Sequence, residues 1–119
     1  MYIASSPESY AGQVVGSGQC VAYVEAAAGA PLTSQWTQGA VVRGADLPSG
    51  TAIATFVNGS YPNAATGNHA AIYLSQDADG LNVWDQWVGQ PVHQRKIHFR
   101  GGVGSPSNDG DAFSVIEGP

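Results

Sequence analysis

Cysteine occurs once in these 119 residues, at position 20. A lone thiol closes no disulfide within its own chain, so Cys20 is free unless it pairs with another chain. Positive charge is also scarce: four Lys or Arg stand against nine Asp or Glu, a formal charge of −5 at pH 7. No basic run exceeds the pair Arg95-Lys96. Nucleic acid and anionic lipid are bound by clustered cations that neutralise phosphates, so neither is expected as a partner. No segment approaches the roughly 18 consecutive apolar residues of a membrane helix, so membrane insertion is not expected either. The opening "MYIASSPESYAGQ" lacks the positive start and apolar run of a secretory signal peptide, which predicts synthesis in the cytoplasm.

What is present is material for a core. Hydrophobic residues make up 43% and charged residues only 11%, the composition of a globular chain. At 12.2 kDa the expectation is a single domain over 1–119, too short for a catalytic module and an independent binding module together.

Residues 1–15, interrupted by Pro7, read as an irregular lead-in. From about Ser17, Val21, Val24 and Ala28 recur at helical spacing with alanines between them, predicting a short helix packed on one face. Gly29 and Pro31 end it. The stretch from Pro31 to Gly50 is broken by Gly and Pro and holds at most a turn before Trp36 and a brief extended piece at Val41-Val42. The period then becomes two. Residues 51–57, 69–75, 81–87, 92–99 and 111–117 are strand candidates separated by Gly, Pro, Asn and Asp clusters. Such short connections leave no room for crossover helices, so the sheet is expected to be mostly antiparallel. The predicted class is α+β: one N-terminal helix carrying Cys20, packed on about five strands. The glycine-rich stretch 100–111 reads as an exposed loop.

A helix start stabilises a thiolate with unpaired N–H groups and the positive end of the dipole. Gly16, Ser17 and Gly18 would let a substrate approach the backbone there, and the same N–H groups could hold an oxyanion. Taken alone, the helix favours the plainer reading, because a free cysteine is commonly buried as a small hydrophobe. The second half of the chain changes the balance. His69 opens a strand at a sheet end, near the surface, and shares a face with Ala71 and Tyr73. On the next strand Leu81, Val83, Asp85 and Trp87 share a face. A five-residue loop "QDADG" would set Ser75 opposite Leu81 and Ala71 opposite Asp85, with Asp85 diagonal to His69. A loop of even length would separate them. Thiol, imidazole and an orienting group are the roles that nucleophilic amide hydrolysis requires, and Cys20, His69 and Asp85 supply one of each. The plainer alternatives are a strand-end histidine and a solvated or hydrogen-bonded acid. An acid between Trp84 and Trp87 would be costly without a partner.

These segments, "GQCVAYV", "NHAAIYL" and "GLNVWDQW" in that order, resemble the Cys, His and acidic pattern of the CHAP and NlpC-like papain-fold peptidases. Within that superfamily they are most similar to the small type VI secretion amidase effectors, over roughly Gly16 to Phe99. The resemblance implies a papain-like fold and a cofactor-free, metal-free thiol hydrolase acting on an amide of the peptidoglycan stem or cross-link, with the meso-diaminopimelate to D-alanine cross-link favoured. It implies Cys20 as nucleophile and His69 as general base. Asp85 takes the orienting role, where the CHAP pattern usually has Glu. Gln86 and Asn82 are the substitutes, though both point to the other strand face. Gly18, Gln19 and Trp87 would line the oxyanion and substrate site. It further implies delivery by type VI secretion to the periplasm of a target cell and a cognate immunity protein that plugs the groove.

Other signals point to structure. His93 and His98, five apart, would face opposite sides of a strand and are poor candidates for one metal. "DADG" and "NDGD" are turns before they are cation sites. At least one of Trp36, Trp84 and Trp87 should be core, with Trp87 nearest the site. Two rivals remain at this level: a non-enzymatic binding or inhibitor domain with Cys20 buried, and an acyltransferase using the same cysteine and histidine.

Overall fold

Residues 1–119 are described by a computed structural model. Helix α1 spans Cys20–Ala28 and ends where Gly29 takes a left-handed conformation, φ 69°, with its N–H bonded to the Glu25 carbonyl. Nine residues are too few for a stable isolated helix, so packing must hold it. Tyr23 and Val24 are fully buried, and the Tyr23 hydroxyl donates to the Pro7 carbonyl at 3.0 Å. That bond ties the helix to a 3-10 turn at Pro7–Tyr10 in the irregular lead-in.

Six strands follow: β1 Thr37–Val41, β2 Ala52–Thr55, β3 Ala70–Gln76, β4 Gly80–Trp87, β5 Gln90–His98 and β6 Phe113–Glu117. They form one sheet in the order β1-β6-β2-β3-β4-β5, and every neighbouring pair is antiparallel. Period-two alternation divides the core. Ala52, Ala54, Ala70, Ile72 and Ile116 face α1, and the small alanines let the helix lie close to the sheet. Ile53, Ala71, Tyr73, Val83 and Val115 face the other side, against Phe113, Val42 and Ile97.

Two expectations are corrected. The first concerns strand number, because β1 occupies residues read as a turn and a brief extended piece. It is an exposed edge strand that departs from regular pairing between Gln38 and Val41. Gly39 conceals it in the sequence, yet glycine is needed there because a Cβ would lie 2.9 Å from the Val115 carbonyl oxygen. The second concerns the β3–β4 hairpin. Gln76 pairs with Leu81 and Ser75 with Asn82, so Ser75 does not face Leu81. A register shift between Tyr73 and Ser75 then adds one residue, setting Tyr73 against Val83 and Ile72 against Trp84. Continued one step, the corrected ladder brings Ala71 beside Asp85, the alignment expected from the odd loop. The even turn and the bulge together produce it.

The 100–111 loop is organised by a carboxylate. Asp109, almost fully buried, accepts from the N–H groups of Arg100 at 2.8 Å, Gly102 at 2.7 Å and Asp111 at 2.9 Å. This arrangement fixes Ser105, Ser107 and Asn108 beside the open end of β5.

Candidate active site

The site is built from the chain entering α1. Gly16 and Gly18 have φ values of 56° and 85°, a conformation that side chains disfavour. Across from them, the buried Gln86 of β4 accepts from Val15 N–H at 2.9 Å and donates to the carbonyls of Val15 at 2.9 Å and Gln19 at 2.8 Å. An amide facing the helix side of β4 therefore braces the loop that delivers Cys20. Gln86 holds the cysteine's approach and does not touch His69, while Asn82 bonds Ser75 at 3.0 Å.

His69 sits one residue before β3 and is 6% exposed, more buried than a surface strand end. Thr55 anchors its backbone: His69 N–H donates to Thr55 Oγ1, and Thr55 N–H to the His69 carbonyl, both at 3.0 Å. Nε2 of the ring lies 2.7 Å from Asp85 Oδ2, which leaves Nδ1 for the Cys20 thiol. Cys20, His69 and Asp85 are thus brought together at one site.

Asp85 is fully buried. Its Oδ2 also accepts from Arg95 Nε at 2.7 Å, and Nε2 of His93 lies 3.1 Å from Oδ1. That last pair is close enough to attract but misaligned, so neither atom completes a hydrogen bond. A lone buried carboxylate would be costly, and these neighbours offset the cost. Of the two tryptophans flanking it in sequence, Trp84 packs toward the helix-side core, whereas Trp87, 41% exposed, meets the His69 and His93 rings edge-on.

The electrostatics follow from this geometry. Burial raises the Cys20 pKa, but the His69 bond and charge outweigh it, with smaller help from Ala70 N–H and Tyr61, and the thiol ends below its ordinary value. Burial likewise opposes the His69 charge, yet the bonds to Asp85 and Cys20 lift its pKa to about 9. Burial also disfavours the Asp85 carboxylate, and the bond to His69, that ring's charge and Arg95 hold its pKa below the ordinary value all the same. Both shifts favour the charged forms, a thiolate beside an imidazolium, and the thiolate is the nucleophilic form of sulfur. The N–H groups of Cys20 and Val21 precede the first helical acceptor and are available to a developing oxyanion.

A cleft of about 460 Å³ opens over the thiol, bordered by Gln19, Cys20, Tyr61, Asn68, His69 and Trp87. Gln19 and Trp87 border this cleft, whereas Gly18, expected to line it with them, lies in the loop before α1 and outside the lining. Three further residues stand at the site beyond those the sequence points to: Tyr61, His93 and Arg95. The Tyr61 hydroxyl is 3.8 Å from Cys20 Sγ, with its ring edge-on to the buried Trp36. Tyr61 lies in a non-periodic loop and left no signal. His93 and Arg95 did leave one, since they alternate with Ile97 on a single face of β5 and pair across to Asp85 and Val83. His93, expected in a structural or solvent-facing role, stands against the site carboxylate.

Residues 1–116 match the family model described as "Domesticated amidase effector 2". The chain is 41% identical to a "Type VI secretion amidase effector 2 protein" of Salmonella typhi, over 83% of this chain and 84% of that protein. It is 38% identical to a "Domesticated amidase effector 2" of Ixodes scapularis, over 95% of this chain and 82% of that one. A solved structure of a "Type 6 secretion amidase effector 2 (Tae2)" superposes with a TM-score of 0.85 at 34% identity, covering 99% of this chain and 95% of the other.

Proposed function

This chain belongs to the domesticated amidase effector 2 family, and on that premise we propose that it is a thiol amidase hydrolysing an amide in the peptide stem or cross-link of peptidoglycan. The observation that carries the mechanism is a thiol at a helix start, facing an imidazole whose far nitrogen is held at 2.7 Å by a buried carboxylate.

Cys20 Sγ attacks the scissile carbonyl, and the resulting oxyanion is held by the N–H groups at the start of α1, with Gln19 forming the adjacent wall. His69 gives its proton to the leaving amine as the C–N bond breaks, leaving a thioester on Cys20. The neutral ring then takes a proton from water, which attacks the thioester, releases the product as a carboxylic acid and regenerates the thiolate–imidazolium pair. Asp85 keeps Nε2 engaged so that Nδ1 faces the thiol. Trp87 forms the side of the cleft on which the substrate lies.

The bond is the cross-link between meso-diaminopimelate and D-alanine. The setting is export by type VI secretion to the periplasm of a target cell, with an immunity protein covering the cleft. The relatives' description as type VI secretion amidase effectors supports this reading. Incubation with a purified cross-linked muropeptide dimer and mass spectrometry of the products tests the bond. Two monomers whose masses sum to the dimer plus one water are expected. Cleavage within a stem would move the assignment to another amide. An acyl group transferred to an added amine, without release of acid, would replace hydrolysis with transfer.

A further inference from the structure

Four side chains in the protein are permanently cationic, and Arg95 is bound differently from the rest. Arg43 Nη1 pairs with Asp111 at 2.7 Å, Lys96 Nζ pairs with Asp77 at 2.6 Å, and Arg100 Nε donates to the Asn108 carbonyl at 3.0 Å, all at the protein surface. Arg95 donates through Nε alone, to the fully buried Asp85. Its two terminal NH₂ groups bond nothing within the fold. The guanidinium carbon lies 5.0 Å over the Trp87 ring, and the side chain is 22% exposed. A fork fixed at its base by a carboxylate and along its plane by an indole is already oriented, so little entropy is lost when its free edge takes a ligand.

That edge borders a second cleft, of about 520 Å³, beyond His69. The cleft shares Asn68, His69 and Trp87 with the one over Cys20, so an extended chain crossing the thiol continues into it. Its outer wall is Ser105, Ser107 and Asn108 from the loop organised by Asp109, and no carboxylate lines it although the protein carries a charge of −5.

From this geometry we propose that the free edge of Arg95 is a carboxylate-recognition subsite, binding one free carboxylate of the substrate in a two-pronged hydrogen bond. The contact sets which amide is presented to Cys20. The inference rests on the amidase reading of the Cys20 site and deepens it. Peptide stems carry several free carboxylates near their amides, and a stem amidated at the recognised one would be a poor substrate. The recognised group is a neutral acceptor for hydrogen bonds once amidated, but it no longer offers two equivalent anionic oxygens to the fork.

The test uses the full chain and a set of cross-linked muropeptide dimers, each with a single carboxylate converted to its primary amide. With native protein, one amidated dimer is expected to lose roughly 10- to 100-fold in kcat/KM, mainly through KM, while the others behave like the parent. Arg95→Gln keeps a donor near Asp85 but lacks the fork, and it is expected to cut that dimer and the parent equally, at a lower rate. Arg95→Lys should retain part of the preference. Native protein that cuts every dimer alike overturns the subsite, and so does an Arg95→Gln variant that keeps the native preference. The native arm decides the matter even if the variants fold poorly. No cleavage of the unmodified dimer would overturn the amidase reading, and the subsite with it.

Discussion

His69 and Arg95 share one oxygen of a buried carboxylate: Asp85 Oδ2 lies 2.7 Å from His69 Nε2 and 2.7 Å from Arg95 Nε. Removing that carboxylate leaves a guanidinium and an imidazole facing each other without a counter-charge. Asp85→Ala is therefore expected to cost about 3–5 kcal/mol of stability, the range for a broken buried ion pair. Urea unfolding measures this. In the folded fraction, kcat should fall roughly 10²- to 10⁴-fold as the ring loses its orientation. A folded Asp85→Ala that hydrolyses at nearly the native rate would place the orienting role elsewhere.

The ion pair gives a pH signature. Activity requires Cys20 ionised and His69 protonated, so kcat/KM should rise as pH climbs through the lowered thiol pKa and fall as it passes about 9, where His69 loses its proton. The two limbs belong to the coupled pair and not to separate residues. Stability follows the same groups. The His69 pKa is raised from 6.5 to about 9, so its contribution is complete below 6.5 and is lost as pH rises through 9. The Asp85 pKa is lowered from 3.8, so its contribution is present above 3.8 and is lost as pH falls through the lower folded value. Denaturant midpoints across pH should show a plateau between these limits. In His69→Ala the alkaline decline should be reduced.

Gln86 is expected to act at a distance from the chemistry. Gln86→Leu fills similar space but leaves Val15 N–H and the carbonyls of Val15 and Gln19 without their partner, at a cost of about 1–3 kcal/mol. Because those groups set the start of α1, iodoacetamide should react with Cys20 at an altered rate in the folded variant. An unchanged rate would show that the glycine loop holds the cysteine unaided.

Tyr61→Phe removes a hydroxyl 3.8 Å from Cys20 Sγ and keeps the ring against Trp36. The hydroxyl is one of the groups that lower the Cys20 pKa, so its loss should shift the pH profile of thiol alkylation upward, with a several-fold loss of rate at neutral pH. An unshifted profile would confine Tyr61 to packing.

Much of this site is legible in the sequence because it is written in strand periodicity. His69 and Asp85 fall on one face by alternation, and Cys20 stands at a helix start marked by Gly16 and Gly18. The details were obscured where local geometry departs from the regular repeat. The register shift between Tyr73 and Ser75 produces the Ala71–Asp85 alignment by a route that loop counting does not reveal. β1 is concealed by Gly39 and by the polar surface of an edge strand. Tyr61 is placed by Trp36 and the fold of a loop, a long-range arrangement with no sequence period. His93 and Arg95 are legible in principle, because alternation along β5 sets both on the face that meets Asp85 and Val83 across the strand pair.

The most direct test of the account is digestion of purified Gram-negative peptidoglycan with native protein and with Cys20→Ala, reading released muropeptides by mass spectrometry. The account predicts that native protein converts cross-linked dimers to monomers, each cut adding one water, and that folded Cys20→Ala leaves the dimers intact. Equal digestion by both proteins would contradict the thiol mechanism, and no digestion by folded native protein across the active pH range would contradict the wall-amidase reading itself.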